Sequence, residues 1–212
     1  MARPSQQLDQ ALLASGRALY AQLGCAGLSQ RKLAEHAGIS AGMFHYHFDS
    51  KDAFLRALLQ QLYEEMYGPL AGQAAMQGPA LDRLRAALLS LAGFVRAQRP
   101  VIVRLVLDAA GGAEVAREFL RANVPRHVGL LLQLLAEAEA EGALPPSRHP
   151  LQRIALLMGA VVAPMVMAPA AAALGIPLPK PSLQTQVTGD VAIAERIELV
   201  LAALCAGEEA PR

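Results

Sequence analysis

Gln30-Arg-Lys-Leu-Ala-Glu-His-Ala-Gly-Ile-Ser-Ala-Gly-Met-Phe-His-Tyr-His47 reads as a short helix, a sharp turn and a second short helix. Ser29 is placed to cap the first of these, and Gly38 suits the positive φ of a turn that stops it. Ser40 is placed to cap the second, which runs to about His47. Leu33, Ile39 and Phe44 fill the wedge between the two helices, and Ala34 has to be small because the second helix crosses close above it. Such a unit exposes the start of its second helix, here Ser40, Ala41, Gly42 and Met43, in a form that fits a DNA major groove.

Outward from this unit the chain keeps a helical period. Leu8, Leu12, Leu19 and Leu23 recur at helical spacing before Gly24, which predicts a first helix ending there. Ser50 caps a fourth helix with the stripe Leu55, Leu58, Leu59, Leu62 and Met66, and Pro69, Gly72, Gly78 and Pro79 mark a break after it. Leu81, Leu84, Leu88, Leu91 and Val95 predict a long amphipathic helix interrupted at Pro100. A further piece follows from Val101 to the Gly111-Gly112 pair. Val115 to Ala122 reads as a short helix, and Pro125 opens another that runs to Gly142. Glu137, Glu139 and Glu141 read as its solvated end. An uncharged helix, a proline-bearing loop from Gly175 to Gly189 and a last helix from about Asp190 complete the chain.

Composition agrees with an all-α fold. Of the 212 residues 54% are hydrophobic and only 4% aromatic, with alanine and leucine dominant and β-branched runs scarce, as packed helices prefer. The length suits a small appended domain on one larger helical body. The net charge is +1, and Arg3, Arg17, Arg31, Lys32 and Lys51 nearly cancel Asp9, Glu35, Asp49 and Asp52 in the first 52 residues. Contact with nucleic acid therefore has to come from local placement of charge. Cys25 and Cys205 are far apart and lack metal-ligand spacing, which fits reduced thiols in a cytoplasm, and the N-terminus has no apolar signal core.

From Ile154 to Pro179 there is no charged side chain, a length that would meet the criterion for a membrane span. Gly159, Pro164, Pro169, Gly175, Pro177 and Pro179 interrupt it, and alanine fills much of the rest. A buried or subunit-facing helix is the better reading, and no membrane partner is expected.

The stretch from about Leu12 to Leu59, above all Ala34-Glu-His-Ala-Gly-Ile-Ser-Ala-Gly-Met-Phe-His-Tyr-His-Phe-Asp-Ser-Lys51, resembles the DNA-binding domain of the TetR family of transcriptional regulators. The run Phe44-His-Tyr-His-Phe48 followed by Ser50-Lys51 is its distinctive part. The resemblance implies a three-helix helix-turn-helix domain over residues 1–52 and a linking fourth helix over about 50–67. It further implies a helical ligand-binding and dimerisation domain over 53–212. It implies that Ser29 and Arg31 meet the DNA backbone, that Ser40, Ala41, Gly42 and Met43 face the bases, and that His45, Tyr46, His47 and Lys51 lie along the groove edge. Core packing is the alternative for Tyr46 and the better reading for Phe48. The family commonly has tyrosine at the place of His45 and a hydroxyl at that of Met43. Hydrogen-bonded base readout is therefore poor here, and specificity leans on DNA shape or on Arg31 and Arg3.

Members of the family are two-fold dimers, which here assigns pairing to about Leu151–Leu174 and Asp190–Cys205, aided by Gly159, Ala160, Ala163 and Ala168. The middle helices would enclose a pocket lined by Phe94, Leu105, Phe119, Met158 and Met165 for a small apolar ligand, with ordinary core as the alternative for each. Arg104, Asp108 and His127 are polar groups near it, and Arg104 and Asp108, four apart, suit a surface pair. The implied function is a repressor that a ligand releases from a palindromic double-stranded operator. It needs no cofactor. His45 and His47 point about 200° apart on a helix and make no metal site. No nucleophile elbow, zinc-protease motif or phosphate-cradling loop is present, which argues against an enzyme. The competing class is an interaction or sensor module that keeps the helix-turn-helix shape without specific DNA binding.

Overall fold

The computed structural model describes residues 4–167, 175 and 184–206, leaving aside the side chains of 4–7, 41 and 184. The regular structure of the described residues is helical, with no strand among them. The helices are α1 (Pro4–Gly27), α2 (Gln30–Ala37), α3 (Ala41–His47), α4 (Lys51–Ala74), α5 (Ala80–Ala110), α6 (Glu114–Ala140), α7 (Pro150–Val161) and α8 (Asp190–Cys205). A single π-helical turn, Gln184–Thr188, precedes α8, where a fully extended loop was expected. The chain forms two compact units, Met1–Glu65 with Pro100–Val124, and Met66–Arg99 with Pro125–Arg212.

In the first unit α1, α2 and α3 close on α4 around Leu12, Tyr20, Leu28, Leu33, Phe44, Phe54, Leu55, Leu58 and Leu59, all fully buried. The turn between α2 and α3 forms as its residues dictate. Ser29 Oγ accepts from the Lys32 amide at 3.3 Å, and Gly38 adopts φ +70°, which lets the Ile39 amide reach back to the Ala34 carbonyl at 2.9 Å. Ser50 Oγ accepts from the Ala53 amide at 3.0 Å. Ser40 differs from its expected role: it occupies the cap position of α3 but makes no side-chain hydrogen bond there.

Helix boundaries at glycine and proline depart most from the sequence reading. Gly24 does leave helical geometry, at φ +64° and ψ −171°, yet the chain re-enters the helix and runs to Gly27. Pro69, Pro100 and Pro125 lie inside α4, α5 and α6 rather than at breaks. Each removes one amide donor and costs about 3 kcal/mol in an isolated helix. Helices of 24, 31 and 27 residues offset that by burying apolar stripes on both sides of the proline.

The second unit packs around Leu70, Leu84, Leu88, Leu131, Leu135, Leu157, Met165, Ile197 and Leu201. The three glutamates at the end of α6 are engaged rather than simply solvated. Arg83 pairs with Glu137 at 2.5 Å, Arg153 with Glu139 at 2.6 Å, and the Ala80 amide donates to Glu141 at 2.8 Å. They cap α5 and tie α6 to α7, a use that spacing alone does not disclose. The uncharged helix breaks at Val162 and is helical again over 163–167; Ala168 and the remainder up to Leu174 lie outside the described residues.

Candidate nucleic-acid interface

Three phenylalanines set the attitude of α3. Phe44 and Phe48 from its underside meet Phe54 of α4, with ring centroids 5.7 Å (Phe44–Phe48), 5.7 Å (Phe44–Phe54) and 5.0 Å (Phe48–Phe54) apart. Phe48 is thus a packing residue. With that face anchored, the opposite face has to point outward. Arg31, Ser40, Gly42, Met43, His45 and Tyr46 are all exposed, Met43 by 41% and Tyr46 by 78%. Tyr46 is therefore not a core residue. The Ala41 side chain and Arg3 lie outside the described residues.

Two expected groove-edge residues are turned into the protein. The His47 side chain is only 4% exposed and its Nδ1 lies 2.5 Å from Asp9 of α1. Lys51 Nζ donates to the Cys25 carbonyl at 3.0 Å. For Lys51 the reason is electrostatic: where the first helix ends, its last carbonyls lack partners, and a cation at that end satisfies them and the helix dipole together. Lys32, which the sequence reading did not single out, does the same for Gly27, with Nζ donating to its carbonyl at 3.1 Å. Arg31, His45 and Tyr46 remain as exposed groups able to meet phosphate. Ser29 is half-buried and its hydroxyl is already a cap.

Beneath the helix-turn-helix lies a polar cluster built on Asp108 of α5. Asp108 is 7% exposed; its Oδ2 accepts from the Cys25 amide at 2.7 Å, and its Oδ1 from Arg104 Nε at 2.9 Å and Nη2 at 2.7 Å. The Arg104–Asp108 pair is thus partly buried and structural, not a surface pair. Burial pushes the Asp108 carboxyl up, but hydrogen bonds from the Cys25 amide and the Arg104 guanidinium outweigh it and hold the group below its ordinary range. Burial and the neighbouring carboxylate push the Cys25 thiol up to about 11, and burial raises the adjacent Tyr20 phenol as well. Cys25 is an inert buried thiol, not a reactive one. Gly24 is needed here: a Cβ would sit 2.0 Å from Arg104 Nε. The sequence signal for this cluster was an acid on an apolar stripe, since Val101, Leu105 and Asp108 share one buried face.

The five proposed pocket residues fall in both units. Leu105, buried, and Phe119, whose ring stands 6.1 Å from Tyr63, belong to the first. Phe94, Met158 and Met165 belong to the second, the last fully buried. A groove of about 380 Å³ in the first unit is lined by Leu13, Ala14, Ala18, Gln61 and the Arg17–Glu65 pair, and by none of the five.

Residues 12–58 match the family model described as bacterial regulatory proteins, tetR family. Over those residues the chain is similar to TetR-family DNA-binding domains. Likeness of fold extends beyond the matched stretch. A TetR-family regulator of Agrobacterium tumefaciens superposes with a TM-score of 0.71 at 20% identity, covering 94% of this chain and 98% of that one. FadR of Bacillus subtilis, solved in complex with stearoyl-CoA, gives 0.69 at 13%, covering 93% and 98%. PfmR of Thermus thermophilus, also a TetR-family regulator, gives 0.65 at 16%, covering 94% and 99%. No curated protein matches the chain.

Proposed function

We propose that the chain is a DNA-binding transcriptional regulator, a homodimeric repressor that a small apolar ligand releases from a palindromic operator. The observation that carries this reading is the outward start of α3, where Ser40, Gly42 and Met43 stand free above the Phe44–Phe48–Phe54 anchor within a TetR-family domain. Residues 1–52 hold DNA, α4 links, and 53–212 form the responsive body. Arg31, His45 and Tyr46 position the backbone, while Met43 and Ala41 contribute apolar contact to thymine methyls. His47, Lys51 and Lys32 act one step back, by holding α1 against the reading unit.

One copy reaches one half-site, so binding requires a two-fold pair with half-sites about one helical turn (~34–36 Å) or more apart. Exposed Leu151 and Leu156 on α7, and Val191 and Leu199 on α8, support pairing through these helices, which pack on each other. α5 and residues 150–167 are also long and apolar enough to cross a membrane by composition and length. The break at Val162 and the outward apolar side chains suit a subunit face better.

Three of the five suggested pocket residues lie in the second unit, and FadR, whose fold the chain shares, is solved with an acyl-CoA. The second of these supports a ligand-responsive body, and we read the chain as a non-enzymatic, cytoplasmic regulator. A ~100-fold loss of operator affinity requires about 2.7 kcal/mol of preference for the released shape. Salt dependence tests the DNA reading. Duplex affinity should fall steeply from 50 to 200 mM salt, whereas weak binding that ignores salt would favour an interaction module, a reading helped by the internal use of Lys32 and Lys51.

A further inference from the structure

Ile193, Arg196 and Val200 share one face of α8, and the two apolar members are 4% and 5% exposed. An arginine thus stands where this helix otherwise buries aliphatic side chains. Its Nη1 donates to the Val187 carbonyl at 2.9 Å. Its Nε and Nη2 are shut from water and have no hydrogen-bond partner among the described residues. Those two atoms form one edge of the guanidinium, the edge from which parallel N–H bonds engage both oxygens of a carboxylate or phosphate.

A guanidinium does not shed its proton, so the charge stays and must be answered. Burial alone depresses the Arg196 pKa, with no acid offsetting it. Of the acids on α8, Asp190 pairs with Arg96 at 2.6 Å and Glu198 with Arg85 at 2.6 Å, and Glu195 makes no pair with Arg196 among the described residues. The chain holds no aspartate or glutamate between Glu141 and Asp190, so the segment before α8 has none to offer. Arg96 Nη1 donates to the Thr188 carbonyl, next to the one Arg196 uses, which brings a second guanidinium to the same turn. Arg196 as a whole is half-buried, but a guanidinium edge shut from water without a counter-charge destabilises a fold, whereas a ligand bearing that charge recovers the loss on binding.

We propose that Arg196 is the anion-receiving group of a small-molecule site in the second unit, and that the ligand presents a carboxylate or phosphate to its Nε–Nη2 edge. The site rests on the ligand-responsive reading above and narrows it from an apolar compound to an amphiphile with an anionic head.

The test uses the full chain, thermal unfolding and calorimetry, with octanoate, methyl octanoate and inorganic phosphate as probes. Octanoate should raise the wild-type midpoint saturably and bind at least tenfold tighter than its ester. Arg196→Gln should lose that preference, and Arg196→Lys should keep only part of it. Phosphate binding as tightly as octanoate would assign a phosphate head, and octanoate binding alone a carboxylate. Arg196→Met without ligand should unfold at or above the wild-type midpoint, because it removes an unanswered charge. Equal binding of acid and ester, an unaltered preference in Arg196→Gln, or no saturable binding of either anion overturns the proposal. So does a dimer that weakens in Arg196→Gln while ignoring anions, which would give the fork to a partner subunit's carboxylate. If the ester nonetheless releases bound duplex, only the anion site falls; if neither acid, ester nor a neutral apolar panel releases it, the ligand-responsive reading falls too.

Discussion

Replacing Asp108 by alanine should loosen the unit that carries α3. The carboxylate accepts from the Cys25 amide at 2.7 Å and from two nitrogens of Arg104 at 2.9 and 2.7 Å, and the residue is 7% exposed. Breaking a fully buried ion pair costs about 3–5 kcal/mol. Arg104 keeps a third of its side chain exposed and can rehydrate, which places the loss near the lower end, at about 3 kcal/mol. For a chain of this length that corresponds to a fall of about 6–12 °C in unfolding midpoint. Asp108→Asn keeps an acceptor for the Cys25 amide and loses the charge, so about half that fall is expected. Circular dichroism melts at neutral pH measure both. The sign with pH is fixed as well. The folded carboxyl lies below its ordinary value of 3.8, so its contribution is present above that value and disappears as pH falls through the folded one. Wild type and Asp108→Asn should therefore converge in strong acid. An Asp108→Ala melt within about 1–2 °C of wild type at neutral pH would refute the reasoning, since a deleted buried acceptor cannot be that cheap.

Three other outcomes follow from the same geometry. Gly42→Ala meets nothing within 4 Å and sits in a helix, so it should stabilise the chain by about 0.5–1 kcal/mol in urea titrations while, on the proposed function, weakening duplex binding through a methyl on the exposed face of α3. Gly24→Ala forces a non-glycine residue into φ +64°, ψ −171° and against Arg104, and should destabilise by about 1–3 kcal/mol in the same titrations. Because the Cys25 thiol is raised from 9.0 to about 11, the unfolded chain ionises first; wild-type stability should fall between those pH values relative to Cys25→Ala, as pH-stepped melts would record.

The helix-turn-helix was legible because its constraints are local. Gly38 must turn, Ser29 must cap, Leu33 and Phe44 must fill, and each of these shows in residue type alone. The orientation of His47 and Lys51 was not legible, because it depends on Asp9 and on the Cys25 carbonyl, groups supplied by a helix tens of residues earlier. Proline misled at 69, 100 and 125, where packing over long helices outweighs a penalty that the local sequence displays and the tertiary gain that it does not. Asp108 and Arg196 did leave a trace, a charge on a buried stripe, but only the fold says that one is answered from within the protein and that the other's Nε–Nη2 edge has no partner among the described residues.

Selection of bound duplexes from a random pool, followed by titration of the winners against the wild-type chain and Met43→Ala, probes the outward face of α3 most directly. An enriched two-fold site with half-sites about 10 base pairs or more apart is expected. Met43→Ala should relax preference at one position per half-site and leave the melting curve unchanged. A pool that shows no enrichment, or winners bound equally well by protein carrying bulky charge at Gly42, would mean that this face does not read DNA.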